Sequence, residues 1–467
     1  MTESYCSIPA QALNTWKPLP EFSSQKSSRL DEGYLNEIGG VTTVKYFVSL
    51  MIFAFVLVSA NASAQTNQAA WLSDNERPQF DSLRRSGLEA LYNLDYEKAQ
   101  RDFIEIGRLY PNHAAGPQLL AARVWIKTLY ETRRLQSSLY SSESFYSSGD
   151  DKVDPKVVSE FRNLTREAKR RSEMRLKQNP KDIEALYWLG ATEGLKASFE
   201  EAVERRHFAA LRDGSDSVDH HREVFKLDPK FVDVGLTVGL YEYVVGSLPL
   251  PIKVVAGITG FRGSKKRGLA LIEQAAKEGT WARDDAKTLL IVLYTREKRF
   301  PDVLTHAREL SAKYPRNYLF RLETAGALVA QAEVERKAKN TEAAVKAERE
   351  AFATFDDLLR DRSVKDTVSR VLDLVHFKYG EVLLTAGEGE RAAKEFLAAT
   401  RVERAGPELV TMAHLYAARA YDLAGKRDAA LSEYREVLTR PDIYAAHEEA
   451  RKGLKQPYRI EDRQNGI

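Results

Sequence analysis

The hydrophobic and polar positions of this chain recur at the spacing of an α-helix through most of its length. Beyond residue 64, Ala, Leu, Glu, Lys and Arg repeat three or four residues apart, and the alternation typical of half-buried strands is almost absent. Short polar turns interrupt this pattern, and several close with a proline, which cannot continue a helix: Pro111, Pro180, Pro229 and Pro315. The pattern therefore predicts an all-α fold built from helical hairpins.

Small and aromatic residues recur within these hairpins at fixed separations. One set consists of Gly87, Ala99, Phe103 and Pro111, and the same separations recur at Gly380, Ala392 and Phe396 and again at Ala418, Ala430 and Tyr434. The last set also has Tyr421 on its first helix and Gly425 in its turn. Weaker sets consist of Gly190 with Ala202 and of Tyr294 with Pro315. A recurring set of this kind is typical of stacked helical repeats, because small residues let the two helices of a hairpin cross closely.

These separations resemble the tetratricopeptide repeat, a helical hairpin of about 34 residues. The resemblance extends over residues 80–455 and implies a helical-hairpin repeat solenoid, a right-handed superhelix with insertions, whose concave groove is lined by the first helix of each hairpin and binds proteins. The central residues 235–249 and 260–269 are similar to a pattern in exported bacterial repeat proteins of unassigned role. They are also distantly similar to a eukaryotic family that includes an inclusion-body clearance protein. The resemblance implies no enzyme chemistry.

Three residues are candidates for partner binding. Repeats that clamp a terminal carboxylate carry Lys and Asn at two groove positions, and this chain has other residues there, among them Arg419. A groove of mixed apolar and charged groups suits an extended or helical protein segment. Tyr241 and Tyr243 precede the apolar, proline-rich residues 248–251, which either present a partner site or form a buried linker between hairpins.

An apolar run near the N-terminus has the layout of a secretory signal peptide. Residues 46–58 follow Lys45, and small residues with two overlapping Ala-x-Ala sites come next, which predicts cleavage after Ala64. The run is shorter than the roughly 20 residues of a membrane-spanning helix, although an inner-membrane anchor is the alternative. We expect an exported, most plausibly periplasmic protein. Because Cys6 precedes the cleavage site, the mature chain would contain no thiol.

Composition divides the chain into five parts: a polar leader of residues 1–44 that indicates a mis-assigned start codon, the signal peptide at 45–64, N-terminal repeats at 65–235 with a Ser/Tyr-rich loop at 137–150, central repeats at 236–330 with a Gly/Pro-rich segment, and C-terminal repeats at 331–467. Residues 211–226 form an additional charged helix in this interpretation. Residues 333–350 form two solvated helical faces that meet at Asn340.

Charge and motifs exclude several function classes. A net charge of +3 gives no field that would favour nucleic acid. His220 and His221 are adjacent on a helix and point about 100° apart, so with His207 they are interpreted as a solvated face and not as a metal site. The glycines and basic residues of 260–268 lack the spacing of a phosphate-binding loop and are interpreted as a turn, with an anion or lipid head-group contact as the alternative. No cofactor is expected.

These observations favour a non-enzymatic protein–protein interaction scaffold or adaptor of the cell envelope, with unidentified protein partners. The alternative from another class is a carbohydrate-binding or envelope-remodelling enzyme on a helical-repeat frame, which would need acidic residues and tryptophans to converge in the groove. A membrane-tethered adaptor is the third possibility, if the apolar run at 46–58 is retained.

The register of the C-terminal repeats makes a prediction about stability. Replacement of Ala430 by Phe should overpack a helix crossing and lower the free energy of unfolding by about 1–3 kcal/mol. Thermal unfolding of the variant and its parent measures this difference. An unchanged melting profile would contradict the register.

Overall fold

A computed structural model describes residues 71–133, 153–248 and 263–459, and within these ranges the chain is helical and contains no strand. The helices are α1 (Arg77–Tyr92), α2 (Tyr96–Leu109), α3 (Ala115–Glu131), α4 (Pro155–Gln178), α5 (Ile183–Ala202), α6 (His207–Leu227), α7 (Gly235–Gly246), α8 (Lys265–Glu278), α9 (Arg283–Arg296), α10 (Phe300–Lys313), α11 (Tyr318–Lys337), α12 (Thr341–Arg360), α13 (Lys365–Val368), α14 (Leu372–Thr385), α15 (Gly389–Thr400), α16 (Pro407–Leu423), α17 (Arg427–Leu438) and α18 (Ala446–Lys455). The all-α fold built from helical hairpins is confirmed.

Helices that follow one another in sequence pack against each other, and the hairpins form two layers. First helices are more deeply buried than second helices, most completely in α5, where every residue except Ile183, Glu184 and Lys196 is buried. Second helices bury a single stripe, which in α2 consists of Tyr96, Ala99, Phe103 and Ile106. The first helices therefore form an inner layer between other helices, whereas the second helices have one face in water.

A glycine of one helix receives an aromatic ring of another at three crossings. A Cβ atom added at Gly87 would overlap the ring of Phe103, and one added at Gly380 would lie 2.8 Å from the ring of Phe396. At the end of the chain Gly453 of α18 receives the ring of Tyr434 in the same way. Each ring occupies the volume that a side chain would need, so it sets the distance between two helices.

The other repeat positions are buried beside these crossings. Ala99, Ala392, Ala418 and Ala430 have no exposed surface. Gly387 and Gly425 have φ values of 82° and 70° in the turns of successive hairpins, a conformation that glycine adopts without strain. Tyr421 is half-buried on α16, Tyr294 is buried on α9, and Pro111 and Pro315 lie in turns after second helices.

The predicted set of Gly190 and Ala202 does not describe its hairpin. Both residues lie in α5, because this helix is longer than the repeat template allows, and Ala202 is the last residue of the first helix. The second helix is α6, which contains the whole segment 211–226. Gly190 instead crosses α6 at His221 and Ser217. Residues 333–350 do form the ends of two helices, and the Asn340 side chain caps the second one.

The first hairpin contacts a part of the chain that lies far away in sequence. The ring of Tyr92 stacks on that of Tyr314 at 4.6 Å between centroids, and its hydroxyl donates to Asp285. The side-chain amide of Asn317 donates to the carbonyl oxygen of Tyr92 at 2.7 Å. Arg316 pairs at 3.2 Å with Asp95, which lies in the turn between α1 and α2. The inner layer of the first hairpin thus packs against the inner layer of residues 285–318.

A second set of long-range contacts involves α3. The hydroxyl of Tyr130 donates to the carbonyl oxygen of Thr367 at 2.7 Å, and Arg133 pairs with the buried Asp373 at 2.5 Å. Asp373 belongs to the first turn of α14. Before that turn, parts of the chain itself therefore lie against the inner face, which corrects the expectation of a groove open along the whole solenoid.

The array ends with α18, which packs against both α16 and α17. Arg427 donates to the carbonyl oxygens of Gly453 and Leu454, and Glu449 pairs with Arg419 at 2.7 Å. The opposite face of α18 exposes Glu448, Arg451, Lys452 and Lys455. A single helix with a charged outer face thus covers the end of the last hairpin.

None of the described helices combines the length and the apolar character that crossing a bilayer requires. The leader at 1–44, the expected signal peptide, the loop at 137–150 and the prolines at 249 and 251 lie outside the described residues.

Helices α7 and α8 cross with their backbones in contact. A Cβ atom added at Gly239 would lie 2.7 Å from the carbonyl oxygen of Gly268, and Gly246 and Gly263 meet the facing backbone equally closely. Side chains cannot be fitted there without separating the helices, because backbone atoms do not move aside as the end of a side chain does.

Replacement of Gly239 by Leu should therefore lower the free energy of unfolding by about 3 kcal/mol, at the upper end of the usual cost of overpacking. Gly107 supplies the matched control, since a Cβ atom added there meets nothing within 4 Å. The Gly107→Ala variant should gain about 0.5–1 kcal/mol from helix propensity. Urea unfolding measures both differences, and equal effects of the two substitutions would contradict the described crossing.

Candidate functional site

Tyr243 is not available to a partner. Its side chain is fully buried at the α7–α8 crossing, and its hydroxyl donates to Glu297 at 2.5 Å. The expectation of a partner contact at Tyr243 is therefore wrong, because the glycines bring α8 over it. Tyr241 is half-buried on the other side of α7, where the guanidinium of Arg222 lies 4.7 Å from its ring.

The basic residues at the start of α8 are held by acidic neighbours. Buried Glu242 accepts from the backbone N–H of Ser264 at 2.9 Å and from Arg267 at 2.6 Å. Lys265 pairs with Glu297. These contacts fix the first turn of α8 against α7, and they pair two of the basic side chains, Lys265 and Arg267, that the anion-binding alternative would use.

The histidines of α6 have separate roles. His220 lies 2.9 Å from Glu193 of α5. His221 is only 2% exposed, and its Nε2 atom lies 3.1 Å from the carbonyl oxygen of Tyr187. The interpretation of this pair as a solvated face is wrong for His221, because Gly190 leaves room for its ring inside the hairpin. Within the described ranges, no three His, Cys, Asp or Glu side chains gather as a metal site.

Two further histidines mark equivalent places in the last two hairpins. His376 and His414 contact Glu395 and Glu433 at 2.7 and 2.6 Å, each pair bridging the two helices of one hairpin. Gly380 and Ala418 likewise occupy equivalent positions on α14 and α16. This correspondence places Lys378 with Tyr416, and Glu381 with Arg419, on the inner faces of neighbouring helices.

We call the side chains of Lys378, Glu381, Tyr416, Arg419 and Asp422 the C-terminal inner surface. It begins one to two turns beyond Asp373, where the long-range contacts of the first hairpins end. Lys378 and Glu381 pair with each other at 3.2 Å and are partly exposed. Tyr416 packs its ring against Phe377 and Phe396, at 5.4 and 5.5 Å between centroids, which anchors it between the two hairpins.

Arg419 lies between two aromatic rings. The carbon of its guanidinium is 5.2 Å from the ring centroid of Tyr416 and 5.2 Å from that of Tyr458, which follows α18. Glu449 of α18 pairs with the same guanidinium at 2.7 Å. Cation–π contacts on two sides and one carboxylate hold this side chain in a single orientation.

Asp422 joins three parts of the chain. Its carboxylate accepts from Arg427 at 2.8 Å, from the hydroxyl of Tyr434 at 2.9 Å and from the backbone N–H of Tyr458 at 2.8 Å. Burial, together with this carboxylate, raises the pKa of Tyr434 well above its ordinary value, so the phenol stays a donor. Asp422 thus holds an extended segment against α16 through a main-chain hydrogen bond.

Neither a protein-family model nor a curated protein matches this sequence. Among solved structures, the chain is similar to a monomeric mutant of IFIT1 with Gppp-AAAA, with 15% identity over 88% of this chain and 90% of that one and a TM-score of 0.39. The human IFIT1 dimer with PPP-AAAA gives 15% identity, 88% and 89% coverage and a TM-score of 0.37. Yeast Tom70 gives 13% identity, 80% coverage of both chains and a TM-score of 0.29. Likenesses this weak carry no information about a ligand.

Burial of His221 predicts a pH dependence of stability. Removal from water lowers its pKa from 6.5 to about 4, so the folded protein keeps the ring neutral while the unfolded chain takes up a proton below pH 6.5. This contribution to stability is present above pH 6.5 and is lost as the pH falls towards 4. Between pH 7 and pH 5 the loss should amount to about 2 kcal/mol.

The His221→Gln variant cannot take up this proton, so its free energy of unfolding in urea should fall by about 2 kcal/mol less than that of the parent over the same pH range. Glu200, whose pKa burial raises to about 7, acts in the opposite direction and is present in both proteins. Its effect therefore cancels in the comparison. Equal losses in parent and variant would show that His221 is not buried as a neutral ring.

Proposed function

We propose that this chain is a protein-binding scaffold of the cell envelope and that it holds an extended segment of its partner on the C-terminal inner surface. The observation that carries the proposal is the contact of Tyr458, whose backbone N–H donates to Asp422 and whose ring lies on Arg419. An extended stretch of polypeptide already lies on this surface, and the surface offers it both a carboxylate that accepts from a main-chain N–H and a contact for a side chain.

Closure of the inner face elsewhere favours this location. Tyr92, Asn317 and Asp373 take part in contacts between hairpins that are distant in sequence, and these contacts cover part of the inner helices before α14. The inner faces of α14 and α16 retain partly exposed charged and aromatic side chains. A partner that binds to the inner helices can therefore reach their side chains in this region.

The chemistry of the surface suits a polypeptide better than a polyanion. Its two basic side chains are each paired with a glutamate, Lys378 with Glu381 and Arg419 with Glu449. Tyrosine and arginine are enriched among the residues that dominate protein–protein binding energies. The mixture of both charge signs with aromatic rings supports a protein partner of mixed composition.

Burial of the tryptophans counts against the carbohydrate-binding alternative. Trp188 and Trp281 do come together, at 5.6 Å between ring centroids, but both lie in the core together with Trp125. A sugar-binding site would need such rings on an accessible face. The proposal therefore keeps a binding role without catalysis.

The envelope part of the proposal rests on sequence alone. The apolar run at 46–58 and the Ala-x-Ala sites before residue 65 support export to the periplasm, with an anchored form as the alternative.

Site-specific photo-crosslinking in the chain's own cell tests the binding surface. We expect p-benzoylphenylalanine at position 378, on the inner surface, to give adducts of defined mass with a partner. The same group at position 435 supplies the control, because Arg435 is exposed on the second helix α17. Addition of Arg419→Ala should reduce the adducts from position 378, since the two positions belong to one surface. Adducts that form equally from both faces, or from neither, would overturn the proposal.

A further inference from the structure

We infer that residues 456–459 act as an internal ligand of the C-terminal inner surface, and that the partner segment which replaces them is extended and presents a tyrosine or another aromatic side chain after a proline. The inference rests on the proposed function and adds to it the chemistry of the partner. It follows from the extended backbone of Gln456, the missing N–H of Pro457 and the contacts of Tyr458 with α16.

The backbone of this segment is extended before it reaches the surface. Gln456 has φ −144° and ψ 144°, the conformation that a following proline favours. Pro457 itself has no N–H to donate, so the first main-chain donor after it is that of Tyr458, and this donor binds Asp422 at 2.8 Å. A proline directly before the aromatic residue thus presents one N–H to one acceptor, without a competing donor beside it.

The side chain of Tyr458 completes a stack. The guanidinium of Arg419 contacts the rings of both Tyr416 and Tyr458, with its central carbon 5.2 Å from each ring centroid. Tyr416 and Arg419 are fixed by their own neighbours, Phe377 and Glu449. The guanidinium therefore presents a preorganised plane on which any aromatic ring of an incoming segment can lie.

The charged side chains of the surface keep hydrogen-bond or ion-pair partners when the segment is absent. Without Tyr458, Asp422 keeps Arg427 and the hydroxyl of Tyr434, and Arg419 keeps Glu449 and Tyr416. Gln456, Pro457 and Arg459 are exposed, whereas Tyr458 is half-buried. Departure of the segment uncovers the carboxylate of Asp422, whose side chain has no exposed surface while Tyr458 is bound, but that charge keeps Arg427 and Tyr434 as donors. Leaving therefore costs one hydrogen bond and one ring contact.

The attachment of the segment to α18 sets the strength of the competition. Because Arg427 of α17 donates to Gly453 and Arg419 of α16 pairs with Glu449, α18 is held in place and Tyr458 stays near its site at an effective concentration on the order of millimolar. A segment from another protein must compete with Tyr458 at this effective concentration. The unmodified chain should therefore bind free peptides weakly. Loss of the Tyr458 ring should strengthen that binding.

A labelled synthetic peptide with the sequence of residues 455–462 (KQPYRIED) serves as the probe, and fluorescence anisotropy with the full chain gives its affinity. The Tyr458→Ala chain should bind this peptide at least about tenfold more tightly than the parent, since the internal competitor is weakened. A probe with Ala in place of its tyrosine should lose binding to the same chain.

Further variants in the Tyr458→Ala background locate the site. Arg419→Lys keeps the charge but removes the planar group, and it should return the affinity to the parent level or below. Arg435→Ala on the outer face of α17 is the matched control and should leave the affinity unchanged. Circular dichroism melting of each variant shows whether its fold is kept.

Three results would overturn the inference: equal peptide affinities of the Tyr458→Ala chain and the parent, an Arg419→Lys variant that binds as tightly as its background, or a parent dimer that Tyr458→Ala dissociates, since the segment would then belong to a second copy. If these occur while adducts still form from position 378 alone, the proposed function stands without the internal ligand. If those adducts are also missing, both fail.

Discussion

Tyr92 lies where two parts of the chain far apart in sequence meet, and the remaining architecture depends on that meeting. Its ring stacks on Tyr314, its hydroxyl reaches Asp285, and its carbonyl oxygen accepts from Asn317. Through these contacts the inner helices of the first hairpins and those of residues 285–318 are buried against each other. Helices on several sides of the inner layer bury nearly all of α5, including its polar side chains Thr192, Glu193 and Glu200. The same kind of contact covers part of the inner positions before Asp373.

The parts of the fold that depend on local spacing could be predicted from the sequence. Gly87 and Phe103 meet within one hairpin, so their separation in the chain contains the geometry of their contact. Longer helices defeat this reasoning: Gly190 and Ala202 fit the template although both lie in α5, since a count of residues does not show where a helix ends. The contact of Tyr92 with Tyr314 could not be predicted either, because a stacked pair so distant in sequence leaves no periodic signal. The apolar run at 185–189 did contain a hint that α5 has neighbours on several sides, since five consecutive residues point to all sides of a helix.

The binding surface was predictable to a similar degree. Arg419 follows from the repeat register, because the register places it on the inner face of a first helix. Asp422 follows the same face one turn later and could have been found with it. Tyr458 could not, since it comes after the last helix and reaches α16 only because α18 turns the chain back. At Tyr243 the sequence misled, because the proline-rich residues that follow it suggested a partner site, whereas the glycines of α7 and α8 let two backbones touch over its ring.

The helix α18 has a consequence for the size of what this protein can build. A stack of identical hairpins has no intrinsic end, and two such stacks can join tip to tip into fibres when their last surfaces are apolar. Here the last surface exposes Glu448, Arg451, Lys452 and Lys455, and two of these form an ion pair at 2.8 Å in water. Growth at this tip would have to strip water from four charges with no partner to replace it. Within the described residues, α18 therefore closes the last hairpin with a charged face in place of an apolar one.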